Sequence, residues 1–90
     1  MTYEDLAATV KMLDADEAIT KISDYIATHP GDPDAYVLRG IKLFGAGHRD
    51  LAINDYLHAQ ELDPESTRAR AALEAAYSIL DFYNKDLYNP

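Results

Sequence analysis

The residues best suited to chemistry in this 90-residue chain are Asp55, His58 and Glu61, which follow one another at intervals of three. On a helix this spacing places them on neighbouring turns of one side, where they could weakly hold a divalent metal ion. Acids beside a histidine are also common on a solvated helix surface. We therefore expect no metal site at these residues.

The other residues that could act in catalysis are scattered along the chain. None of His29, His48 and His58 lies four positions from another, as a helical zinc pair requires, and the chain has no cysteine. The acidic residues from Asp14 to Glu17 lack the glycine and the distant glutamate of a calcium loop. The segment 45–47 is typical of a turn rather than of a phosphate-binding loop. The sequence therefore predicts no catalytic centre, no cofactor and no enzyme activity.

Charge restricts the class of partner. Sixteen acids against eight bases give a net charge of −8, and such a field repels phosphate backbones, so we expect no nucleic-acid partner. The simplest role of this acidity is solubility, because a small domain stays dispersed when its net charge is far from zero. A basic or apolar partner is the alternative that the composition leaves open.

Hydropathy argues against a membrane protein. No run of about 18 apolar residues is present that could span a bilayer. The first residues include the acids Glu4 and Asp5, where a secretory leader would carry basic residues before an apolar stretch. We expect a cytoplasmic protein without a membrane partner.

The pattern of apolar residues and of helix caps predicts an all-α fold. Apolar residues recur at intervals of three and four, and no stretch alternates for long enough to indicate a strand. Polar capping residues, Pro33 behind Asp32, and the glycines of segment 45–47 mark the breaks between helices. We predict five helices, Tyr3 to Leu13, a second from the cap Asp14 to Thr28, Pro33 to Phe44, Arg49 to Leu62, and Thr67 to Asn84, followed by an irregular tail, Lys85 to Pro90.

An internal repeat is the strongest signal in the chain. The residues from Pro33 to Ser66 fit a 34-residue unit in which small and bulky side chains alternate between two helices. This unit has Tyr36, Gly40, Leu43, Ala52, Tyr56, Ala59 and Pro64 at its characteristic spacings. The same register recurs 34 places earlier at Asp16, Ala18, Ile19, Ile22 and Pro30. Small residues let the helix axes come close, and the bulky ones fill the space between them.

These residues resemble the tetratricopeptide repeat family over about residues 16–77. The resemblance implies an α-solenoid of antiparallel helix pairs, with about two repeat units plus a C-terminal capping helix. We divide a single domain, 1–90, into a degenerate first repeat (1–31), a full repeat (32–65), a capping helix (66–84) and a tail (85–90). The match is weakest between Tyr3 and Leu13.

In this family the first helices of successive repeats line a concave surface that receives peptides or helices. Residues 34 apart then become neighbours, and the predicted groove is apolar. Its residues are Tyr3, Ala7, Val10, Val37, Ile41, Phe44, Ala71 and Ala75. Alternatively, the chain's own Phe82, Tyr83, Leu87 and Tyr88, or a second copy, fill this groove. One subtype of the family binds the acidic C-terminal tail of chaperones through lysine and asparagine side chains on the groove. These side chains are missing here, so we do not expect this chain to bind such a tail.

Arg39 stands where the family commonly has leucine. A cation at a half-buried position must be paired, or it would destabilise the fold. We predict an ion pair between Arg39 and Asp55 that joins the third and fourth helices. The alternative is that Arg39 lays its stem over the core and keeps its head in water.

Two functional hypotheses follow from this organisation. The first is a non-catalytic module that binds a peptide or an amphipathic helix of another protein in the groove. The second is a self-associating helical-repeat protein, since the fifth helix is apolar around much of its circumference and a homodimer would cover it.

Overall fold

The computed structural model describes the backbone of residues 1–88 and the side chains of residues 1–82. Its helices are α1 (Tyr3–Val10), α2 (Ala15–Thr28), α3 (Pro33–Gly45), α4 (Arg49–Leu62) and α5 (Thr67–Tyr88). The described part of the chain contains no strand. The prediction of an all-α fold with five helices is therefore confirmed.

The first three helices begin where the caps predict. The backbone N–H of Asp5 donates to the Thr2 hydroxyl (3.3 Å), and the backbone N–H of Thr2 donates to the Asp5 carboxylate (3.2 Å). Asp14 accepts from the backbone N–H of Glu17 at 2.8 Å, and Asp32 caps α3 in the same manner. Each cap satisfies an N–H group that has no partner within its helix.

The end of α1 differs from its prediction. We expected the helix to continue to Leu13, but it ends at Val10 and residues 11–13 form a turn. Asp14 caps α2 in an extended conformation (φ −69°, ψ 173°), so the chain must leave helical geometry before it. The backbone N–H groups of Met12 and Leu13 instead donate three residues back, which tightens the turn.

The end of α5 also differs from its prediction. The helix continues to Tyr88, four residues beyond Asn84, and residues 85–88 are helical rather than irregular. Residues 67–89 contain no glycine or proline, so no local signal ends the helix earlier. Residues 89 and 90 of the predicted tail lie outside the described residues.

Helices α3 and α4 form an antiparallel pair. Tyr36 contacts His58, with their ring centroids 4.5 Å apart, and Arg39 contacts Asp55. As the residue number increases along α3, the number of the contacting residue on α4 decreases. This is the pattern of two antiparallel helices. Gly47, with φ +92°, makes the connecting turn in a conformation that favours glycine.

The core lies along one side of each helix. Its largest fully buried side chains are Leu6, Val10 and Ile22, and it continues through Tyr36 and Tyr56. Gly40 and Ala52 allow α3 and α4 to approach closely around the Tyr56 ring. Among the described residues, no helix combines the length and the apolar character needed to cross a membrane.

The contribution of the N-cap of α5 to stability can be tested by substitution. The hydroxyl of Ser66 accepts from the backbone N–H of Ala69 at 3.1 Å, and Ser66 is buried. We expect Ser66→Ala to lower the free energy of unfolding by about 0.5–2 kcal/mol. The exposed serine of the same helix is a matched control, and Ser78→Ala should change stability by less than about 0.5 kcal/mol. Equal urea midpoints for the two variants would contradict the assigned cap.

Candidate binding groove

A groove of about 630 Å³ lies between α3 and α5. From α3 it is lined by Val37, Ile41 and Phe44, which recur at intervals of four and three and therefore share one side of the helix. Within this wall Val37 is buried, at 4% exposure, whereas Ile41 is 51% exposed. Solvent therefore reaches the apolar α3 wall chiefly at Ile41.

The α5 wall is built from small side chains. Ala71, Ala72, Ala75 and Ala76 line the groove along two turns, and Ile79 continues the wall one turn further. Alanine adds only a methyl group to the helix surface, so the groove stays open to the backbone of α5. Ile79 is 38% exposed and marks the far end of this wall.

The first turns of α1, α3 and α5 meet at one end of the groove. The Arg68 guanidinium carbon lies 5.0 Å from the centroid of the Tyr3 ring, and Arg68 Nη1 lies 3.4 Å from Asp34 Oδ2. Burial raises the pKa of the Tyr3 hydroxyl, although the nearby Arg68 opposes the shift. Tyr3 is therefore neutral at physiological pH, and the Arg68–Asp34 ion pair bridges the two walls at this end.

The structure places six of the eight predicted groove residues on the groove, namely Tyr3, Val37, Ile41, Phe44, Ala71 and Ala75. Val10 instead lies in the core with Leu6, four residues earlier on α1, and is 1% exposed. Ala7 is half-buried and does not line the groove. The prediction that residues 34 apart are neighbours assumes that the first helix of every repeat is rotated equally about its own axis. The short α1 instead turns its apolar side to the core.

Several groove residues were not predicted from the 34-residue spacing. Tyr56 reaches the groove from α4, and Ala72, Ala76 and Ile79 add to the α5 wall. The position of Ile79 was available from the sequence, because it lies four residues after Ala75 on the same side of the helix. The contribution of Tyr56 depends on the gap that Gly40 leaves, which the one-dimensional pattern does not specify.

Arg39 and Asp55 form a bidentate ion pair outside the groove. Arg39 Nε and Nη2 each lie 2.8 Å from a carboxylate oxygen of Asp55, and Arg39 Nη1 donates to the Ser23 hydroxyl at 3.3 Å. Asp55 is 7% exposed, while the Arg39 side chain keeps about a quarter of its surface in solvent. The hydrogen bonds to Asp55 raise the pKa of the Arg39 guanidinium. This contact joins α2, α3 and α4.

The residues considered first for metal binding have other contacts. Asp55 is engaged by Arg39, and the His58 ring packs edge-on against Tyr36. His58 Nδ1 and the nearest Glu61 oxygen are 3.8 Å apart on an exposed surface. Within the part of the chain whose side chains are described, no three His, Cys, Asp or Glu residues lie close enough to hold a metal ion.

Comparison of the chain with protein-family models, with curated proteins and with solved structures finds no match. The choice of function therefore depends on the geometry of the groove. Its walls are apolar, solvent reaches them, and the described polar side chains beside them are few.

Proposed function

We propose that this chain is a non-catalytic interaction module that binds the apolar side of a peptide or amphipathic helix from another protein. In this proposal α1 to α5 stack as a tetratricopeptide-type α-solenoid, and the groove between α3 and α5 is its concave surface. The observation that carries the proposal is the apolar lining of that groove, which is exposed to solvent at Ile41, Ala71, Ala75 and Ile79. A surface of this kind favours association, since covering it removes apolar area from water.

The antiparallel pairing of α3 and α4 supports the solenoid arrangement. Successive helices of a repeat protein pack on their neighbours in the chain, which leaves the first helices of the repeats side by side. Here α3 and α5 border the groove while α4 lies behind it and contributes Tyr56. This placement supports the proposal that these helices follow the 34-residue register.

A second candidate is a homodimer that uses the C-terminal helix. It is favoured by the apolar residues that α5 exposes beyond the groove, Tyr77 and Phe82, the latter 73% exposed. The side chains of Tyr83, Leu87 and Tyr88 lie outside the described residues. Sedimentation that shows a monomer at high micromolar concentration would eliminate this candidate.

Substitution of Ile41 tests the proposed site. Peptides selected from a displayed library against the wild-type protein should carry apolar residues on one side, and Ile41→Asn should weaken their binding at least about tenfold. The amide of the new side chain would lose water on binding without gaining a partner in the apolar groove. Dissociation constants measured by fluorescence anisotropy give this comparison.

The matched control for this substitution is Leu57→Asn. Leu57 is an exposed aliphatic residue of α4 and does not line the groove. Its substitution should leave peptide affinity within about twofold of the wild type, a change within the noise of surface substitutions. Binding that is lost equally in both variants, or in neither, would show that the peptides bind elsewhere.

A further inference from the structure

From the shape and charge of the groove, we infer that its occupant is a basic amphipathic α-helix about three turns long, supplied by another protein. The inference rests on the proposed binding function and specifies the chemistry of the partner. It combines three features: the few hydrogen-bonding groups among the described lining residues, the length of the alanine wall and the acids that lie beside the Tyr3 end of the groove.

A helix fits this groove better than an extended peptide does. Both walls are α-helices, whose backbone N–H and C=O groups already bond within each helix. An extended peptide would leave its own backbone groups unpaired against these apolar walls, whereas a helix brings its hydrogen bonds with it. The alanines of α5, from Ala71 to Ala76, also permit the close axis-to-axis distance that helix packing requires.

The length of the groove sets the length of the occupant. The α5 wall runs from Arg68 to Ile79, which corresponds to about 16 Å at the helical rise per residue. This distance accommodates about three turns of a helix lying alongside. Its apolar residues would recur at intervals of three and four and meet Val37, Ile41 and Phe44 in turn.

Charge selects a basic partner. At the Tyr3 end, the one charged residue among the described lining residues is Arg68, which is paired with Asp34. Two further acids, Asp32 and Glu4, lie near the Tyr3 hydroxyl but outside the lining. The whole chain carries a net charge of −8. An approaching cationic helix is therefore attracted, and a second copy of this chain is repelled. At the other end Arg49 stacks on Phe44. At the Tyr3 end the three acids Glu4, Asp32 and Asp34 outnumber Arg68, although the N-terminal dipoles of α1, α3 and α5 offset part of their charge. We therefore place the partner's cations towards the Tyr3 end.

Two synthetic 14-residue peptides test the inference. Both carry leucines on one helical side, and their other side carries either lysines or glutamates. At about 20 mM salt we expect the lysine peptide to bind the full chain at least about tenfold more tightly than the glutamate peptide, and the difference should shrink at about 300 mM salt as charges are screened. Circular dichroism should show the lysine peptide gaining helix on binding. A third peptide, the lysine peptide with a central proline, should lose most of its affinity.

Matched variants locate the contact. Glu4→Gln should weaken binding of the lysine peptide about two- to fivefold at low salt, whereas Glu61→Gln, at an exposed acid on α4, should have no effect. Ile41→Asn should weaken it at least about tenfold, as for the peptides selected from the library. Thermal melts of each variant verify that the fold is retained.

The possible failures are distinguishable. If the glutamate peptide binds as tightly as the lysine peptide, and Ile41→Asn weakens both, the basic partner is wrong and the groove function stands. Full affinity of the proline peptide would exclude a helical occupant. If neither peptide binds, or Ile41→Asn has no effect on either, both proposals fail. If the protein is dimeric at assay concentration and Ile41→Asn makes it monomeric, the groove is occupied by a second copy and the inference is overturned.

Discussion

Gly40→Ala is expected to destabilise the protein by about 1–3 kcal/mol, although alanine is the better helix former by about 1 kcal/mol. A Cβ atom at Gly40 would lie 2.7 Å from Cδ1 of the buried Tyr56 ring and 3.1 Å from the carbonyl oxygen of Ala52. The ring belongs to the packed core and the carbonyl belongs to the backbone of α4, so neither yields without separating the two helices. Urea denaturation of the purified variant measures the loss.

Gly45 provides the matched control on the same helix. Apart from its chain neighbours and the backbone of its own helix, no described atom lies within 4 Å of a Cβ placed there, and Gly45 has ordinary helical geometry. Gly45→Ala should therefore leave stability unchanged or raise it by up to about 1 kcal/mol. Gly40→Val, with its larger side chain, should destabilise more than Gly40→Ala does. If Gly40→Ala and Gly45→Ala had the same unfolding midpoint, α3 and α4 would not approach as closely as described.

Arg39→Met should lower the free energy of unfolding by about 2–4 kcal/mol at neutral pH. The substitution leaves the buried carboxylate of Asp55 without its cation and without two hydrogen bonds of 2.8 Å. It also removes the contact to Ser23 on α2. We place the value slightly below the usual range for a buried pair, because solvent reaches part of the Arg39 side chain.

The double variant Arg39→Met, Asp55→Leu separates the ion pair from packing. With both charges gone, no group is left buried and unpaired, so stability should return to within about 1.5 kcal/mol of the wild type. Together with the single variant Asp55→Leu, these two variants complete a double-mutant cycle, whose coupling energy should reach about 1–3 kcal/mol. Single variants whose effects simply add would show that each residue acts alone and that the pair contributes nothing.

The starts of the helices were predictable because their signals are local. The side chains of Asp14 and Asp32 accept hydrogen bonds from backbone N–H groups two or three residues later, and Pro33 at the first helical position has no N–H to satisfy. The turn before α4 contains Gly47, which adopts a positive φ. The end of α1 was not predictable, because no glycine or proline marks it and it is set by the extended cap of the next helix. The predicted end of α5 at Asn84 was wrong because no glycine or proline follows within α5, and the first proline beyond the helix is Pro90.

The sequence predicted the groove residues of α3 and α5 more successfully than those of α1. The residues of α3 and α5 reach it as expected, since both helices are long enough to be oriented by their packing on α4. Val10 does not, because an eight-residue helix with Leu6 and Val10 on one side turns that side to the core. The pairing of Arg39 with Asp55 was predicted from the family resemblance and from charge, with a solvated Arg39 as the alternative. The hydrogen bond from Arg39 to Ser23 was not predicted, because the sequence does not show how closely α2 approaches Arg39.

The unequal fastening of the two walls has a consequence for the width of the groove. Arg39 ties α3 to α2 and α4. Helix α5 is held differently, by its buried Ala69, Leu73 and Ala76 in the core and by the exposed Arg68–Asp34 contact with α3. An exposed ion pair contributes only about 0–1 kcal/mol, so the core residues of α5, and not its charged first turn, fix the distance between the two walls.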